Sequence, residues 1–253
     1  MSLILRVNEW LNDNAPFMKR AIRAVISKKT RASFAERKFS ATIDHHRYDV
    51  IFNNIYARNW WGSTESVSGC GSERRRTEAI RKGLIEWCAS NGIRTMFDAP
   101  CGDFNWMRDV VRAVDLSYLG GDIVPELVRK SAERGERNCR FIPFDILADE
   151  LPEVDAWLCR DVLFHFPNSA IQNVLERFHG SNIRYFLSSH FENTTTHPDI
   201  EFGRYRPVNL CCPPFNWPRP TFLIFDGGDE DADRYIAVWE NRKYGGSPAR
   251  QSD

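Results

Sequence analysis

Four aspartates, Asp98, Asp122, Asp145 and Asp161, each close or directly follow a short apolar run. The runs, 94–98, 118–122, 140–144 and 156–160, read as β-strands. Carboxylates at the carboxyl ends of neighbouring parallel strands line the rim where open α/β sheets bind ligands. Asp122 stands 24 residues after Asp98, where an acid accepts hydrogen bonds from a ribose diol. Asp145 is placed to accept from an adenine amino group. The turn after the first run is Asp98-Ala99-Pro100-Cys101-Gly102-Asp103. Its one glycine, Gly102, lets the backbone approach a ligand closely. It has neither G-x-G-x-x-G nor G-K-[ST], and Pro100 replaces a glycine, so the turn is not built to cradle phosphates.

The elements that must position these acids alternate. Helices are expected over 73–90, stopped by Gly92, over 103–114 with Asp103 as N-cap, over 125–134 with Pro125 in the first turn, and over 168–179. A fifth strand is expected over 183–189. The last two strands, 221–225 and 235–239, form a hairpin around the acidic loop 226–233, which reads as a solvated turn and lacks the spacing of a calcium loop. The pattern predicts an α/β fold, a Rossmann-like doubly wound sheet of seven mostly parallel strands with a terminal antiparallel hairpin.

The 253 residues carry 34 basic and 34 acidic side chains, a net charge of zero. That balance gives no support to a nucleic-acid partner. Residues 1–38 hold nine Lys/Arg against three acids, a net of +6. Apolar residues recur there at helical spacing, so two expectations stand: a basic helical extension over 1–59 that touches an anionic membrane surface or glycolipid, or one that packs on the main domain with its basic face in water. No stretch reaches membrane-spanning length, and no signal peptide is expected. The seven cysteines are scattered, without C-x-x-C. Free thiols, no metal site and a cytoplasmic protein, peripheral to the inner membrane if the basic arm binds lipid, are therefore expected.

Several segments together resemble the class I S-adenosylmethionine-dependent methyltransferases over residues 74–240. Asp-Ala-Pro-Cys-Gly-Asp at 98–103 looks like the first motif of that family, Gly-Gly-Asp at 120–122 like the second, and Phe144-Asp145 like the adenine-contacting position. Trp-Gly-Ser-Thr-Glu-Ser-Val-Ser-Gly-Cys-Gly-Ser at 61–72, Arg-Asp-Val-Leu-Phe-His-Phe at 160–166 and Asn-Leu-Cys-Cys-Pro-Pro-Phe-Asn-Trp-Pro at 209–218 resemble bacterial sugar O-methyltransferases of polysaccharide and nodulation-factor gene clusters. The resemblance implies a methyltransferase domain over 60–253, S-adenosylmethionine as cofactor with S-adenosylhomocysteine as product, and a carbohydrate or glycolipid acceptor; the alternatives are a small-molecule or natural-product methyltransferase and a non-catalytic methyltransferase-like binding module. It implies cofactor contacts from Trp61, Ser68, Gly69, Ser72, Asp98, Ala99, Pro100, Gly102, Trp106, Asp122, Ile123, Asp145, Ile146, Arg160 and Asp161. Transfer to a sugar hydroxyl calls for a general base. His165, His190 and His197 are the histidines in range, each of which also fits a structural role, and Asp161 can orient a base. The irregular stretch 190–220 is the expected acceptor loop, with His197, Arg204, Arg206, Asn209, Asn216 and Trp217 as acceptor contacts. The loop 68–72 fits either a cover over the cofactor or a flexible linker, and Trp60 and Trp61 fit either a stacking or a core role.

Overall fold

The computed structural model describes residues 48–134, 136–228 and 231–244. The basic segment 1–38 lies outside the described residues. In chain order the elements are α1 (Tyr48–Ala57), α2 (Glu78–Asn91), β1 (Thr95–Asp98), α3 (Met107–Ala113), β2 (Ser117–Asp122), α4 (Pro125–Glu133), β3 (Cys139–Pro143), β4 (Ala156–Cys159), α5 (Asn168–Gly180), β5 (Tyr185–Phe191), β6 (Phe222–Phe225) and β7 (Arg234–Glu240). The sheet order is β3-β2-β1-β4-β5-β7-β6. All described neighbours run parallel except β7, which is antiparallel to both β5 and β6. The doubly wound seven-stranded fold is as the sequence predicts.

Burial follows periodicity. In α2, Ile80, Leu84, Trp87 and Cys88 share one face and are all buried. Gly92 ends the helix in the left-handed region (φ +63°), where Ile93 N donates to Cys88 O at 3.0 Å, the geometry in which glycine carries no Cβ penalty. Met96, Tyr118, Leu158, Leu187 and Val238 meet α2 and α3 in one core. The alternate residues Phe97, Trp157, Phe186 and Trp239 stack edge-on or tilted along the opposite face, where Phe178 of α5 joins them. Every residue of β4 and β5 is buried, as central strands covered on both faces must be.

Most boundaries shift by a residue or two from expectation, and three of the shifts have partners that explain them. The helix expected from Glu73 begins at Glu78; Thr77 Oγ1 bonds back to Glu73 O, closing a turn instead. Asp103 does not cap α3, which begins at Met107. Its carboxylate accepts from Ser66 Oγ at 3.0 Å and Val67 N at 3.2 Å, tying down an upstream loop. β5 runs on to Phe191 because its pairing with β7 continues to Phe191↔Arg234. The helix α1, on the extension side of residue 59, buries Ile51, Phe52 and Ile55 and sets Phe52 at a tilt against Phe166. It also joins α4, where Lys130 Nζ donates to Tyr56 Oη at 2.9 Å.

Candidate active site

Along the rim the acids fall in the order Asp145, Asp122, Asp98, Asp161, one per strand end from β3 to β4. Three strand spacings span roughly 14 Å, the scale of a nucleoside carrying an amino-acid side chain. At the centre, Gly102 adopts φ +56°, and a Cβ there would lie 2.3 Å from Ser68 Oγ. Ser68 Oγ accepts from Asp103 N at 3.0 Å. The loop 66–72 is thus seated on the β1–α3 turn and is not a free linker. Gly69 packs against Trp61, and Ser72 O accepts from Asn105 Nδ2 at 3.0 Å.

Asp122 is buried and accepts from Gly102 N at 3.0 Å and Val124 N at 2.9 Å. A carboxylate offers about four lone-pair sites, so acceptor capacity remains for a diol. Asp145 accepts from Leu147 N at 2.8 Å and from the Tyr48 hydroxyl of α1. These acceptors at two adjacent strand ends fit an adenosine, and the turn itself carries none of the cations a phosphate would need. Asp98, at the end of β1, is already engaged within the fold. It is buried and accepts the Tyr118 hydroxyl at 2.5 Å. Ala99 is fully buried beside it, Ile146 is buried, Ile123 is half-buried, and Pro100 completes the turn through a cis peptide bond.

Burial pushes Asp98 up to about 7, against the Tyr118 hydroxyl and Arg160, which pull it down. Burial likewise raises Asp122 to about 6. A carboxyl with a raised folded pKa contributes stability that is complete below its ordinary value near 4 and is lost as pH rises through the folded pKa. Buried His190, pushed down to about 4 by burial, works in the opposite direction, but only below about pH 6.5. The melting temperature is therefore expected to fall between about pH 6.5 and pH 8, and Asp98→Asn, neutral throughout, should flatten that slope. Thermal melts of both proteins across this range test it; an unchanged slope in the variant rejects the assignment.

Beyond β4, Asp161 sits at φ +60°, held in place by its bonds. It accepts from Ser189 Oγ at 2.8 Å, Arg234 Nη2 at 2.5 Å and Arg160 Nη1 at 2.9 Å. The two guanidiniums lower its pKa despite burial. Arg160 is not open to a ligand carboxylate. Its Nε and Nη2 clasp Asp226 at 3.0 and 2.9 Å, Nη2 also holds Gly71 O at 2.9 Å, and its plane lies 5.2 Å over buried Trp106. Arg234 bonds Asp226 as well, at 2.9 Å. Asp226, expected in a solvated turn, has a side chain with no exposure at all.

The three histidines separate. His165 lies on the turn Leu163–His165, stacked on Trp61 at 5.6 Å. Its Nδ1 is 2.7 Å from Arg204 O. A carbonyl only accepts, so Nδ1 carries the proton and Nε2 presents its lone pair. Burial lowers its pKa, which keeps the ring neutral near pH 7. The strap 203–206 is zipped to this turn by Gly203 N to His165 O at 2.9 Å and Arg206 N to Phe164 O at 3.1 Å. Tyr205, half exposed, flanks His165 at 6.1 Å.

His190 is within β5, not beyond it. Side chains alternate along a strand, and Ser189 is the one that meets Asp161, so His190 points to the other face, edge-on to Trp239. His197 uses both nitrogens on backbone: Nδ1 meets Pro213 O at 2.6 Å and Nε2 accepts from Asn209 N at 2.9 Å. Asn209 spends its amide on Glu192 O and Cys211 N. Trp217 stacks on His179 of α5 at 4.3 Å, and Asn216 forms an exposed bend at φ +49°. His197, Asn209 and Trp217 staple the loop; of the expected acceptor contacts only Arg204 and Arg206, on the strap, reach the His165 turn. Tyr48, Tyr118, Ser189, Asp226 and Arg234 are site neighbours that the sequence does not single out, whereas Tyr205 belongs to the expected acceptor loop. Only the opposite charges of Asp226 and Arg234 across a hairpin offered a signal. Among the described residues no cluster of His, Cys, Asp and Glu is arranged to hold a metal, and no helix is long and apolar enough to cross a membrane.

No protein-family model matches the chain, and no curated protein matches it in sequence. Solved structures do. Magnesium protoporphyrin IX methyltransferase from Synechocystis PCC 6803, with bound S-adenosylmethionine, aligns over 79% of this chain and 99% of its own, at 14% identity and TM-score 0.53. Human N-acetylserotonin methyltransferase, in complex with S-adenosylmethionine, aligns over 65% of this chain and 52% of its own, at 12% identity and TM-score 0.50. The S-adenosylmethionine-dependent methyltransferase SibL aligns over 65% and 55%, at 16% identity and TM-score 0.50. Against the last two, the chain spans about half of the relative's length. The fold is that of the class I S-adenosylmethionine-dependent methyltransferases.

Proposed function

We propose that the protein is an S-adenosylmethionine-dependent O-methyltransferase that uses His165 as general base on a carbohydrate hydroxyl. The observation that supports it best is the His165 geometry: a neutral imidazole at the β4 rim, with its tautomer fixed by Arg204 O and Nε2 left to accept a proton. Bound S-adenosylmethionine would supply an electrophilic methyl group. Asp122 would accept from the ribose diol and Asp145 from the adenine amino group. A sugar hydroxyl is a weak nucleophile, so removal of its proton as the new bond forms is where a positioned base contributes most. Trp61 and Tyr205, whose ring centroids lie 5.6 and 6.1 Å from that of His165, offer aromatic surface to the C–H face of a sugar.

Two measurements test the reading. S-adenosylhomocysteine at about a hundredfold over Kd should stabilise the native state by about 2.7 kcal/mol, a rise in melting temperature of roughly 5 to 10 °C. No rise at millimolar ligand would reject cofactor binding and leave a non-catalytic module. Labelled cofactor offered to a panel of glycans and of phenolic small molecules should methylate a glycan; label on the phenols alone would replace the acceptor class while keeping the reaction.

A further inference from the structure

Arg206 follows closely on the carbonyl that holds His165, and it is 5% exposed. Its Nη2 donates to the side-chain oxygen of Asn168, the first residue of α5. Its Nε and Nη1 are buried with no partner. Among the described residues, Arg206 alone leaves two buried guanidinium nitrogens unpartnered; Arg81, Arg108 and Arg177 each leave one, Nε. A buried guanidinium without an anion is among the costliest groups a fold can carry. The acid that acts on it is Asp199, but that exposed carboxylate is committed to Asn168 N at 2.7 Å and Ile200 N at 3.0 Å. So the start of a 13-residue helix, whose backbone favours negative charge, faces a planar cation with donors to spare.

We infer that Arg206 and the N-terminus of α5 form a binding site for a compact oxyanion carried by the acceptor: a carboxylate, as on a uronic acid, or a phosphate or sulfate ester. The inference rests on the reading of His165 as the base, and it deepens it. An anion bound at Arg206 lies on the same strap that fixes His165, so recognition of the acid and placement of the hydroxyl are one event. Exposed Asp199 holds the place in the empty site and shifts aside when the ligand anion enters.

The test uses the full chain and four probes at matched ionic strength: sodium sulfate, sodium phosphate, sodium glucuronate, and sodium chloride as control. At about tenfold over Kd, one or more of the first three should raise the melting temperature by roughly 3 °C more than chloride, and Arg206→Gln should abolish that excess. Asp199→Asn keeps the capping oxygen but removes the competing charge, so it should tighten the probe's Kd severalfold. A response to glucuronate alone assigns a uronic acid; a response to phosphate or sulfate alone assigns an ester. No excess over chloride in the natural protein, or an equal excess in Arg206→Gln, overturns the site. Should Arg206→Gln fail to fold, an unchanged Kd in Asp199→Asn overturns it. S-adenosylhomocysteine is titrated in the same assay: a cofactor response without an anion response sinks this inference alone, and the absence of both sinks the methyltransferase reading.

Discussion

Replacing His165 by alanine is expected to lower kcat by about 10²- to 10⁴-fold, the range that a positioned base contributes. The affinity for S-adenosylhomocysteine should change little, because Asp122 and Asp145, the acids proposed to bind the ribose and adenine, stand at β2 and β3, away from the His165 turn. The pH profile carries the sharper signature. Burial lowers the His165 pKa, so the imidazole is neutral at and above its ordinary value and is protonated only below it. Activity should therefore be constant through neutral pH and decline on the acid side, with the midpoint below about 6.5. His190→Asn serves as the control. His190 lies inside β5 on the face away from Asp161, so its replacement should leave kcat within a few-fold and preserve the acid limb. Full activity in His165→Ala, or loss of the limb in His190→Asn instead, would reverse the assignment.

The choice among the three histidines shows where sequence stops being legible. All three fall at or near a strand end, and residue type and spacing treat them alike. What separates them is which backbone carbonyl each meets: Arg204 for His165, Pro213 for His197, none for His190 Nδ1. Those carbonyls belong to an irregular stretch with no periodicity to read. The rim acids were legible for the converse reason. A parallel strand buried on both faces is a short apolar run, and the first acid after it marks where the sheet meets water.

Two misreadings share one cause. Asp103 was a good capping residue by type and position, but Ser66, Val67 and Ser68 claim its carboxylate from 35 to 37 residues upstream. Asp226 stood in a run of acids and glycines that composition marks as solvated. Yet one arginine 8 residues on and another 66 residues back bury it. A local pattern ranks the partners a polar side chain can find nearby; it says nothing about a stronger partner brought in by topology. Here the reversed strand β7 carries Arg234 to the end of β5, opposite the β4 turn that carries Arg160 and Asp161.

That juxtaposition underlies the largest stability effect expected of a single substitution. Arg160, Asp161, Asp226 and Arg234 form a balanced set of two cations and two anions, and the Asp226 carboxylate takes four charge-assisted hydrogen bonds. Asp226→Ala leaves a buried positive charge uncompensated. Removing one member of such a set costs about 3 to 5 kcal/mol, a large part of the 5 to 15 kcal/mol of a typical domain. A fall of roughly 10 °C in melting temperature is expected. Asp226→Leu combined with Arg234→Met removes one charge of each sign, restores neutrality, and should recover most of the loss, since apolar replacement of a buried pair is often neutral or better. The coupling between the two sites, read from the double-mutant cycle, should be favourable by more than about 1 kcal/mol. The same cycle connects the fold to the site. Arg160 also holds Gly71 O, so loosening the set frees the 70–72 turn from the rim. S-adenosylhomocysteine affinity should drop in Asp226→Ala even at temperatures where the chain is fully folded. A melting temperature within about 2 °C of the natural protein, or additive losses in the cycle, would show that these four charges are neighbours and not a unit.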